Sequence, residues 1–209
     1  MQLAVGYAAL ALAAAILVGL VYRGRCRLCW SFVAYLAVFL ASGALMGLVP
    51  DVFYTRQFWL YKEAALHALK FGIALELAWR TFRAFPGALS TVRTTVFVVL
   101  ALTLGGVLAV PEPREFESIA GEVQPRIVNG TVWLFTSIAA VILWYRVPVN
   151  PFYKTLLIGF VPYLVVFTIA LQLFATYGFD KLAAVNNYLY PLAYLLVLAY
   201  WCAGAWRRH

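Results

Sequence analysis

The chain has 209 residues, 65% of them hydrophobic and 11% charged, with a formal net charge of +8 and a mean hydropathy of +0.88. That balance excludes an ordinary soluble domain and marks a polytopic membrane protein. The basic excess is no sign of nucleic-acid binding, because its distribution along the chain accounts for it, as set out below.

Apolar stretches of about 20 residues, enough to cross roughly 30 Å of hydrocarbon, recur along the sequence. There are seven, at about residues 3 to 22, 31 to 50, 58 to 82, 90 to 110, 130 to 147, 151 to 177 and 186 to 206. The expected fold class is all-α: a single seven-helix transmembrane domain spanning residues 1–209, with no soluble domain. The first stretch, "MQLAVGYAAL" onward, has no Lys or Arg ahead of it and runs directly into "RGRCR", so it reads as a retained helix and not a signal peptide. In the second, Gly43 and Gly47 form a GxxxG pair suited to close packing within the molecule. The connection "PEPREFESIAGEVQPRIVN" is the longest and predicts a short surface helix around residues 114 to 121. Pro162 predicts a tilt or kink in the sixth segment, since proline removes a backbone hydrogen bond.

Charge sets the orientation, because cytoplasmic loops collect Lys and Arg. The first, third and fifth connections, with Arg207 and Arg208, hold ten basic residues and no acid, whereas the other side holds four basic and six acidic residues. The N-terminus is therefore expected outside and the C-terminus in the cytoplasm, as a multi-pass protein of a bacterial inner membrane. The lipid bilayer is its first partner.

The third segment, "YKEAALHALKFGIALELAW", places Lys62, Glu63, His67, Lys70 and Glu76 in apolar helix. At 100° per residue His67 and Lys70 flank Glu63 by about 40° and 20°, making one stripe about two turns long. Charged groups near mid-membrane cost several kcal/mol unless paired or wet, so this stripe is expected to face the bundle interior, with Glu63 neutralising Lys70. It is the candidate ligand-binding or proton-relay site, with Gln172, Asn187 and Tyr190 as candidate neighbours alongside Asn186. Glu76 and Arg80, four residues apart on another face, are expected to form a structural ion pair, and Lys62 to reach outer headgroups.

Metal is not expected: Glu63 and His67 have a two-ligand spacing, but a third ligand is missing and Lys70 would repel a cation. Helix 7 of the expected fold, "NNYLYPLAYLLVLAYWCAGAW", has no lysine for a retinal Schiff base, and no cofactor is expected. Cys26 and Cys29, a C-x-x-C on the cytoplasmic side, and Cys202 are expected to be reduced thiols. No motif for phosphate binding or nucleophilic hydrolysis is visible, so an enzyme is not expected.

The topology resembles the seven-transmembrane modules of bacterial sensor kinases. "YKEAALHALKFGIALELAWRTFRAFPGAL" and "NNYLYPLAYLLVLAYW" resemble free-standing bacterial seven-helix proteins. The resemblance implies at most a sensor or accessory subunit, signalling if at all through a membrane or cytoplasmic protein partner; the polar stripe of the third segment is what adds an outward pocket for a small-molecule ligand. A small transporter or proton-relay protein and a structural subunit of a larger membrane complex are the alternatives.

Overall fold

Inside a bilayer no water is present to bond the backbone, so each apolar segment must satisfy its own N–H and C=O groups, which a helix does. The computed structural model describes residues 2–83, 86–108, 124–177 and 190–207, and these form helices and connections without a strand. In chain order they are α1 (Gln2–Tyr22), a 3-10 turn (Arg25–Leu28), α2 (Trp30–Leu48), α3 (Pro50–Phe53), α4 (Arg56–Phe82), α5 (Pro86–Leu108), α6 (Gln124–Trp144), α7 (Pro151–Tyr177) and α8 (Tyr190–Trp206). Among the described residues four helices, through Ala4–Tyr22, Trp30–Leu48, Arg126–Trp144 and Pro151–Ala170, are long and apolar enough to cross a membrane. At 27 residues α4 is as long as any, but its charges keep it outside that group.

The helix ends follow local chemistry. Thr55 caps α4, its hydroxyl accepting the Phe58 N–H at 3.2 Å, and Asn150 does the same for the Phe152 N–H at 2.9 Å, with Pro151 opening α7. α6 starts at Gln124, six residues before the expected 130, because Gln-Pro-Arg is polar but suits a helix start. α7 runs without a break through Pro162. The surface helix expected near 114 to 121 lies outside the described residues.

Successive long helices alternate in direction, as their end contacts require. Ser31 at the start of α2 meets Glu76 late in α4, Tyr153 early in α7 meets Leu28, and Arg25 meets Gly204 at the end of α8. Around the bundle α1 lies between α2 and α8, α4 packs on α2, α6 joins α4 to α7, and α7 reaches α8, while α5 rests against α4 and α6. The end gathering the C-termini of α1, α4, α6 and α8 carries Arg23, Arg25, Arg80, Arg93, Arg146 and Lys154, and is called the basic end below.

Aromatic rings fill the half of the bundle nearest that end. Trp201 packs against Phe160 at 4.4 Å and Phe32 at 5.3 Å between centroids, and Phe135 stacks on Phe160 at 5.0 Å. All four are buried. Trp201 fits because residue 159 has no Cβ; one there would clash with the indole nitrogen and lie 2.7 Å from Cε2. Gly159→Ala is expected to destabilise the bundle by about 2 kcal/mol, as overpacking a tight core does, read as a lower unfolding midpoint in detergent. An unchanged midpoint would mean that the indole can swing aside. Of the GxxxG pair, Gly43 packs on α1, where a Cβ would meet Leu10 Cδ2 at 2.5 Å, and Gly47 faces open space.

Candidate functional site

α4 begins as a capped polar turn and ends as apolar helix, and its first half presents Glu63, His67 and Lys70. Both His67 and Lys70 are 4% exposed. Glu63 has 23% of its side chain exposed and lies 19 residues before the end of α4, about 28 Å from the basic end. Its carboxylate pairs with Lys62, 3.1 Å away, and lies 3.9 Å from His67 Nε2, too far for a hydrogen bond.

Lys62 thus shares the Glu63 carboxylate. One expectation is narrowed here: the Glu63 charge acts on Lys70 through space, not as a direct ion pair. Seven residues of helix separate them by about 10 Å, and Lys62 is nearer. Among the described residues no carboxylate lies within ion-pair distance of Lys70, whose ammonium sits 6.0 Å from the centre of the Phe167 ring. Among the described residues neither ring nitrogen of His67 has a hydrogen-bond partner.

A tier of hydroxyls adjoins this stripe. The Tyr35 and Tyr194 oxygens are 3.1 Å apart, and Tyr163 packs on Tyr194 at 5.3 Å and stacks on Phe167 at 6.3 Å. Lys70 and Tyr194 each lie 12 residues from the basic end of their helices, so they share one level, about 18 Å above it. Below that level, Ile73, Ala74 and Leu77 of α4 are fully buried beside Phe32, Phe160 and Trp201. The stripe thus ends on an apolar floor. Of the expected neighbours, Gln172 lies on an exposed part of α7, five residues past Phe167. Asn186, Asn187 and the Tyr190 side chain lie outside the described residues.

No family model, curated protein or solved structure matches the chain. The geometry therefore stands alone.

Beneath the floor, Glu76 has a wider role than its spacing suggests. Its carboxylate holds Arg80, with Nη2 at 2.8 Å and Nε at 2.9 Å, and also accepts the backbone N–H groups of Trp30 at 3.1 Å and Ser31 at 2.8 Å. An acid on α4 thereby caps the start of α2, placing negative charge at the positive end of its dipole. The sequence holds a signal for this. "RLCWSF" supplies Cys29 at the cap position, a residue that makes no capping bond, so the α2 N–H groups need an acceptor from elsewhere. Cys29 is buried against this carboxylate; burial pushes its thiol up to about 12, the Glu76 charge adding to the effect. A thiol so protonated is a poor nucleophile at neutral pH. Cys26, Cys29 and Cys202 are free, and among the described residues no three His, Cys, Asp or Glu side chains cluster as metal ligands.

The three tyrosines and Phe167 carry no signal in the sequence because nothing in single-chain spacing brings α2, α7 and α8 to the level of Lys70.

Proposed function

We propose that the chain is a bacterial inner-membrane protein with seven spans, N-terminus outside and C-terminus inside. It serves as a sensory or accessory protein that binds a small anionic ligand through an outward-facing pocket at Glu63, His67 and Lys70. It passes the signal to a protein partner, as the resemblance to sensor-kinase membrane modules implies. The observation that carries the reading is the buried Lys70, without a carboxylate at ion-pair distance among the described residues, beside a buried imidazole whose two nitrogens have no hydrogen-bond partner among them. Buried polar groups left in this state are rare unless something else satisfies them. An anionic group would pair with Lys70 and accept from His67, while the tyrosine tier offers further hydroxyls to its polar part. The floor of Ile73, Ala74, Leu77 and aromatic rings argues against a proton path from Lys70 to Glu76 and so against the relay reading.

The test is a thermal-shift screen of small carboxylates and phosphates on the protein in lipid nanodiscs. Compounds that raise the melting temperature of the wild type should lose that effect in both Lys70→Met and His67→Leu. Binders indifferent to both substitutions, or a cryo-EM map with the stripe dry and closed, would refute the site.

A further inference from the structure

A second feature lies on the outer surface of the bundle, away from α4. Between α6 and α7 runs a cleft of about 680 Å³ whose walls are apolar, with Ala139, Ile142, Ile158 and Val161 among its lining residues. It starts at the basic end and reaches as far as Pro162, 11 residues into α7, a climb of roughly 16 Å. Ile158 is exposed, so the cleft opens sideways on the helix surface that a bilayer would cover. Its basic-end portion is lined by two cations, Arg146 and Lys154. Both are exposed, and among the described residues neither has an acid within ion-pair distance.

The backbone at Arg146 adds an independent argument. α6 ends in a Schellman turn: Val147 N–H donates to the Ile142 carbonyl at 3.1 Å and Arg146 N–H to that of Leu143 at 3.3 Å. This turn requires a left-handed residue, and Arg146 takes that part with φ of 48°. Glycine fills such a position at no steric cost, whereas an arginine there is strained. A side chain held at a backbone disadvantage, beside a second cation and over an apolar slot, points to a use for its charge.

We infer that this cleft seats an anionic phospholipid, its phosphate between Arg146 and Lys154 and one acyl chain along the α6–α7 slot. The inference rests on the membrane reading of the fold but not on the α4 site. Basic pockets between membrane helices recognise anionic headgroups through the same pairing of charge and apolar wall. Here the shape sets the lipid apart from a free anion, because the slot continues well past the cations.

The experiment is native mass spectrometry of the full chain titrated with phosphatidylglycerol or phosphatidylcholine of identical acyl chains. Wild type should prefer phosphatidylglycerol by about thirtyfold, as two basic groups at a membrane surface would give. Arg146→Gln with Lys154→Gln should erase the preference. Arg83→Gln with Arg93→Gln, which removes equal charge from two other exposed sites at the same end, should keep it. Ala139→Trp, which fills the slot and leaves the cations alone, should weaken binding as much as the first pair. Arg146→Gly should melt higher than wild type in phosphatidylcholine nanodiscs and yet bind phosphatidylglycerol less well. Equal losses in the two charge-removing pairs would assign the preference to diffuse charge and overturn the proposal. So would wild-type indifference to headgroup, or an Ala139→Trp chain that binds normally.

Discussion

Glu76→Gln is expected to destabilise the protein by about 3 kcal/mol, measured by unfolding in mixed detergent micelles. The amide keeps the size of the side chain but has one acceptor oxygen where the carboxylate has two. It therefore cannot receive Trp30 N–H, Ser31 N–H and Arg80 together. It also turns an NH₂ group toward one of those donors. The start of α2 loses its counter-charge at the same time. Arg80→Gln should cost less, about 1 kcal/mol, since a third of the Arg80 side chain is exposed and a surface pair contributes little. Equal effects from the two substitutions would reduce Glu76 to one half of an ion pair and remove its capping role.

The second large effect has the opposite sign. Lys70→Met should raise stability by about 2 kcal/mol in the absence of ligand, because an apolar side chain of similar length replaces a buried ammonium with no carboxylate in range among the described residues. The same change should abolish ligand binding. Stability and function then pull against each other at one residue, as they do where a site is held ready for something absent. A destabilised Lys70→Met chain would instead identify Lys70 as internal glue and favour a structural subunit over a binding protein.

How much of this was legible beforehand differs by level. The helices were, since hydrophobic runs of membrane-crossing length leave the backbone little other choice, and the sixth segment matches α7 from Pro151 to Tyr177. The α4 stripe could be read from angular spacing alone, which is why Glu63, His67 and Lys70 stood out. Its pairing could not be. Lys62 lies on another face by projection, yet a four-carbon stem lets its ammonium come round to Glu63. Glu76 was legible toward Arg80, one turn away, but not toward the backbone of Trp30 and Ser31, 46 and 45 residues distant. Spacing along one helix carries no information about which other helix stands opposite.

The fastening of α8 to the start of the chain has a bearing on how the protein is made. Arg25 donates to the carbonyls of Gly204 and Arg207 at 3.0 and 2.7 Å, Arg23 donates to that of Trp206, and the Trp206 indole donates to the Ala15 carbonyl of α1. The Arg25 bonds span 179 and 182 residues. During synthesis α1 precedes α8, so Arg23 and Arg25 stay without these acceptors until α8 has left the ribosome. The seam between α1 and α8 thus closes only after α8 is made, and a nascent chain stalled before residue 204 would carry an open seam along α1.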